Sequence, residues 1–110
     1  MVGLVLLGSK IEALIDTGFA GGVMVPFPLF HSLGLMSRLV ADEFIAVMPD
    51  ARKVPVFTAR EQVSAGQLRF AANIHSSPAL HRSLLGREAL GSFLAVLDGP
   101  KGSLTLRSKG

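Results

Sequence analysis

One carboxylate in this chain is carried by an apolar strand straight into a glycine-rich turn: Ile11-Glu12-Ala13-Leu14-Ile15-Asp16-Thr17-Gly18-Phe19-Ala20-Gly21-Gly22. Strands of this kind ordinarily end on a neutral turn residue. An acid delivered there has its carboxyl held by backbone and hydroxyl groups, which is how a carboxyl is positioned for acid/base work. The plain alternative is an Asx turn, in which the Asp16 side chain accepts from the Gly18 N–H and does nothing more. A second run, Leu84-Leu85-Gly86-Arg87-Glu88-Ala89-Leu90, follows late in the chain, with Gly86 70 positions after Asp16. Other reactive residue types do not gather. His31, His75 and His81 have no metal-ligand spacing and read as surface or loop residues. Ser92 lacks the strand-to-helix elbow of a serine hydrolase. Asp50 and Asp98 sit in turns marked by proline or glycine.

The elements that must position Asp16 are short and mostly extended. Val2 to Leu7 predicts a strand, Gly8-Ser9-Lys10 a hairpin turn, and Ile11 to Ile15 its partner. Asp16 to Gly22 is a loop, and Val23-Met24-Val25 a short strand stopped by Pro26-Phe27-Pro28. A helix over about 28–33 follows, with Pro28 in its first turn, Gly34 past its end and Phe27, Phe30 and Leu33 as its core face. Residues 39–47 and 53–58 are strand-like and flank a turn at Met48-Pro49-Asp50-Ala51, which predicts a long hairpin with an exposed tip. Further strands are expected at Glu61 to Ser64 and at Gln67 to Ile74, with Ser76 to Ser83 a loop. Arg87 to Gly91 predicts a short helix, and Phe93 to Leu97 and Ser103 to Leu106 a last pair of strands around Asp98-Gly99-Pro100-Lys101-Gly102. Many short strands with one or two helical turns predict an all-β chain folded as a small closed or partly open barrel.

Bulk properties narrow the function classes. At 110 residues the chain fits one domain, 1–110, with no repeat or linker. A domain of this size hides roughly 65% of its unfolded surface. Nearly half of the residues are hydrophobic and mean hydropathy is +0.49, so some apolar surface is expected to be covered by a second copy. The net charge of +3 is scattered, with only Arg52-Lys53 adjacent, and Tyr and Trp are absent, which argues against nucleic-acid binding. The chain has no cysteine, hence neither a disulfide framework nor a thiolate nucleophile. The apolar start, Met1 to Leu7, lacks a basic n-region and is too short to span a bilayer, so neither a signal peptide nor a membrane partner is expected and a cytoplasmic location is the default.

Ile15-Asp16-Thr17-Gly18 with its hydrophobic lead-in resembles the Asp-Thr-Gly motif of retropepsin-like aspartic proteases, and Phe19-Ala20-Gly21 resembles the prokaryotic single-lobe members. Leu84-Leu85-Gly86-Arg87 resembles the second family signature, two hydrophobics and a glycine before a short helix that opens with arginine. Both signatures stand in the family's order, with a proline-tipped hairpin between them, and the resemblance runs from Val2 to Leu106. It implies a barrel of the retropepsin (acid protease) type that works as a homodimer, because one chain supplies one aspartate and the chemistry needs two. A two-fold axis brings a residue beside its own copy. Two carboxyls that close cannot both ionise and share a proton.

The resemblance further implies roles for particular residues. Asp16 and its copy would activate water, Thr17 would brace the two loops, and Gly18 would let backbone and substrate approach. Phe19, Ala20, Val47, Met48 and Pro49 would meet substrate, with Val23 also in the lining and the hairpin tip acting as a flap. Leu85, Gly86 and Arg87 would support the loop from beneath, and no metal or cofactor is required. The chain departs from the family in two places. Pro49-Asp50-Ala51 replaces a glycine-bearing flap tip, and Ala20 stands where retroviral members have an aspartate that pairs with the arginine numbered Arg87 here. Arg87 is therefore expected to pair instead with Glu88 of the other subunit or with a backbone carbonyl. The reading is an aspartic endopeptidase acting on peptides or unfolded protein. The competing reading is a catalytically inert dimeric module that binds peptide or protein on the same fold, and a third is a structural oligomerisation domain.

Overall fold

The computed structural model describes residues 1–40, 44–47, 53–79 and 81–97. Among the described residues there are seven strands: β1 (Val2–Leu6), β2 (Ser9–Ile15), β3 (Val23–Met24), β4 (Phe44–Val47), β5 (Lys53–Ala65), β6 (Leu68–Ser76) and β7 (Leu84–Leu85). Helices α1 (Phe27–Ser32) and α2 (Arg87–Leu97) and a 3-10 turn at Leu35–Arg38 are the other described elements. The strands follow the order β1-β2-β7-β3-β6-β5-β4, and β1 also pairs with β5 through Val5↔Ser64 and Leu6↔Val63. That last pairing closes six strands into a barrel and leaves β4 outside it, attached to β5. The fold is thus all-β, a closed barrel with two short helices.

Strand alternation builds the interior. Leu4 and Leu6 on β1, Ile11 and Ala13 on β2, and Phe70, Ala72 and Ile74 on β6 point into one cluster. Phe30 from α1, Leu35 from the 3-10 turn and Ala89 from α2 plug the same cluster. Helix α1 has Pro28 in its first turn, where no intrahelical N–H partner is needed. It ends as Gly34 turns left-handed at φ 75° and returns its N–H to the His31 carbonyl at 3.0 Å.

Several element expectations are corrected. Phe93–Leu97 continues α2 and is not a strand. The helix crosses Gly91-Ser92 unbroken because Ala89, Leu90 and Phe93 recur at helical spacing on the core side, where Phe93 meets Phe70 edge-on at 5.8 Å. The expected strands at 53–58 and 61–64 are one strand, β5, whose register on β6 runs unbroken from Phe57↔Ser76 to Ala65↔Leu68. Among the described residues the strand expected over 39–47 shortens to Phe44–Val47, preceded by a single bridge from Leu39 to Ala59. The first hairpin turns at Leu7-Gly8, not at Gly8-Ser9-Lys10, since Ser9 already pairs with Leu6. Val23 is buried in the core cluster. The expected turn at 48–51, the turn at 98–102 and the strand at 103–106 lie outside the described residues. Among those described, no helix is long and apolar enough to cross a membrane.

Candidate active site

Topology brings the two sequence signatures into contact. β7 inserts between β2 and β3, parallel to β2 through Leu14↔Leu84 and Ile15↔Leu85 and antiparallel to β3 through Val23↔Leu85 and Met24↔Leu84. The ladder extends on both sides: the Leu14 N–H donates to the Ser83 carbonyl and the Asp16 N–H to the Leu85 carbonyl, each at 3.0 Å. Asp16 thus leaves β2 at a point fixed by the second signature.

The loop after Asp16 then caps helix α2. The first N–H groups of a helix have no partner within it and need one from outside. Here the Gly86, Arg87 and Glu88 N–H groups donate to the carbonyls of Gly22, Phe19 and Gly21 at 2.7, 2.9 and 3.1 Å. Gly86 is required for this approach. A Cβ at Gly86 would strike the Gly21 carbonyl oxygen and lie 2.6–2.7 Å from the ring and carbonyl oxygen of Phe19. A Cβ at Gly22 would likewise strike the Asn73 carbonyl. Asn73 in turn donates to the Glu88 carboxylate at 3.1 Å and accepts from Arg60 at 3.2 Å, tying β5, β6 and the start of α2 together.

Within the loop the Gly18 N–H donates to Asp16 Oδ1 at 2.9 Å, and the Phe19 N–H closes the turn onto the Asp16 carbonyl at 3.1 Å. Asp16 is half-buried, whereas Thr17 and Gly18 are exposed. The apolar residues leading to Asp16 are open as well, Leu14 at 42% and Ile15 at 49% exposure. Alongside Thr17 and helix α2 a groove of about 460 Å³ is lined by Thr17, Arg87, Leu90, Gly91, Phe93 and Leu94. Its walls are mostly hydrocarbon.

The structure gathers Asp16, Thr17, Gly18, Phe19, Ala20, Leu85, Gly86 and Arg87 at this one end of the barrel. Leu85 is buried in the core, and Arg87 holds the loop through its backbone N–H on the Phe19 carbonyl. Ala20 is exposed, and the half-buried Phe19 ring turns toward His75. Val47 ends β4 opposite Lys53, while Met48 and Pro49 lie outside the described residues.

His75 is the residue that sequence reasoning misplaced. It is 8% exposed, not a surface group. Its ring meets Phe19 edge-on at 5.7 Å and shares a 2.9 Å hydrogen bond between Nδ1 and the Thr58 hydroxyl. Burial holds the imidazole below its ordinary range, with the Glu88 carboxylate pulling the other way.

Similar folds occur among solved structures. The EIAV protease in complex with the inhibitor HBY-793 superposes with a TM-score of 0.60 at 12% identity, covering 81% of this chain and 82% of that one. The retroviral protease-like domain of Ddi1 from Leishmania major gives 0.57 at 16% identity, over 82% and 73%. A retropepsin-like aspartic protease from Rickettsia conorii gives 0.57 at 22% identity, over 81% and 67%. The barrel is therefore of the retropepsin type, the class of fold to which those three proteins belong. No protein-family model matches the sequence. A search of curated proteins finds no match either.

Proposed function

We propose that this chain is an aspartic endopeptidase that works as a homodimer, with one Asp16 from each copy. The observation that carries the proposal is a half-buried carboxyl, fixed by the Gly18 N–H and surrounded by uncovered apolar residues, at the place where the two signatures meet. A two-fold axis near Thr17 would bring the two Asp16 carboxyls together and cover Leu14, Ile15 and the groove beside α2. The pair would share one proton. The charged member takes a proton from water as the water oxygen bonds to the scissile carbonyl carbon, and the protonated member gives its proton to the carbonyl oxygen. Collapse of that adduct breaks the C–N bond, and the departing nitrogen takes up a proton. Thr17 braces the two loops, and the β4–β5 arm with Val47, Met48 and Pro49 acts as the flap. An extended peptide adds as a strand between flap and dyad, with apolar side chains flanking the scissile bond.

The Gly18 N–H to Asp16 bond supports a second reading, since a plain Asx turn makes the same contact. In that case the assembly binds peptide or protein without cutting it. Cleavage of an unstructured protein, assayed at several chain concentrations, separates the two. The proposal expects Asp16→Asn to lower cleavage by about 10²–10⁴-fold. It also expects wild-type activity to rise faster than linearly with concentration. A folded dimer that cuts nothing would leave the binding module.

A further inference from the structure

We propose that His75 is a positioning residue for the Asp16 loop: its neutral ring is the strut on which Phe19 and Gly21 rest, and protonating it frees the loop from helix α2. Its bearing on catalysis rests on the reading of Asp16 above, but the strut is a property of the fold. Both loop residues that touch the ring also clamp the helix. Phe19 packs edge-on against the imidazole while its carbonyl accepts from Arg87. Gly21 lies so near that a Cβ there would sit 2.7 Å from Nε2, and its carbonyl accepts from Glu88. Displacing the ring therefore disturbs the loop and its hydrogen bonds to the helix start together.

Burial works against a charge on this ring. Helix α2 contributes Glu88, whose carboxylate is engaged by Asn73, and the exposed Arg87. Strand β5 contributes the neutral Thr58 hydroxyl and Arg60, which donates to Asn73. The loop contributes Asp16 as its titratable group, and β3, with Val23 and Met24, contributes none. Burial outweighs Glu88, so the closed loop disfavours the imidazolium. With the ring's value lowered in the closed state, closure is fully stable above about pH 6.5, the ordinary imidazole value. As pH falls through that value the open loop binds a proton that the closed loop does not. Opening then becomes more favourable by up to about tenfold per pH unit, until the closed ring itself titrates.

The test follows the wild-type chain by NMR from about pH 7.5 to about pH 5. The His75 ring should titrate below about pH 6.5. Over the same range the exchange protection of the Arg87 and Glu88 amides should fall, while that of the β1–β2 ladder holds. His75→Gln keeps a polar partner for Thr58 without titrating and should abolish the fall. Protection that ignores pH in the wild type, or that falls equally in His75→Gln, overturns the proposal. The wild-type titration decides the matter even if the variant does not fold. None of these readouts uses substrate, so a chain that cuts nothing would remove the peptidase reading and leave the strut to be judged separately.

Discussion

β2 is entered and left by two glycine-containing turns that use glycine for opposite reasons. At the entry, Leu7 and Gly8 both take left-handed backbone, φ 49° and 84°, and join β1 to β2 as a two-residue hairpin loop. A Cβ added at Gly8 would meet nothing within 4 Å. At the exit, Gly21, Gly22 and Gly86 have no left-handed backbone, yet a side chain at any of them would collide with the loop, the His75 ring or β6. The first turn is a local backbone solution that depends on nothing beyond itself. The second is a junction of three chain segments, where the absence of side chains lets carbonyls reach the amides of a helix. Conformation sets one and packing the other, and they fail differently when changed.

Gly86→Ala should show the largest effect. Its Cβ meets backbone that cannot swing aside, so about 3 kcal/mol of stability is expected to be lost. Urea titration measures that loss, and cleavage should fall with it because the Asp16 loop is displaced. Gly8→Ala adds only left-handed strain, about 1 kcal/mol, and should leave cleavage per folded molecule unchanged. A loss for Gly8→Ala equal to that for Gly86→Ala would erase the contrast between the two turns. Leu7→Asn sharpens it from the other side. Asparagine tolerates the left-handed region that leucine resists, and Asn-Gly suits a type I′ turn, so a gain of about 0.5 kcal/mol and a higher melting midpoint are expected.

The parts of the molecule legible in the sequence are those whose signals are local. Alternation marked β1, β2 and β6, and Pro28 with Gly34 bracketed α1 to within a residue. Asp-Thr-Gly and Leu-Leu-Gly-Arg pointed to the two segments that the fold places side by side. Phe93–Leu97 misled because a run of consecutive apolar residues has no period of its own, and helix α2 was decided by its seat on the core and Phe70. His75 misled for a related reason. Alternation on β6 turns Phe70, Ala72 and Ile74 to the core and His75 to the opposite face, which reads as solvent. What covers that face is Phe19, on a loop far away in sequence, and no local pattern announces it.

The pairing of β2 with β7 joins residues 70 positions apart, Leu14 with Leu84. The β1–β2 and β5–β6 hairpins are near-neighbour structures that can form within microseconds. The Asp16 loop cannot, because its partners arrive only after a long segment has closed and the entropy of that closure has been met. The site is therefore expected to be among the last parts of the chain to order during folding. A nascent chain ending before Gly86 would hold both hairpins and still lack the segment against which Asp16 is set.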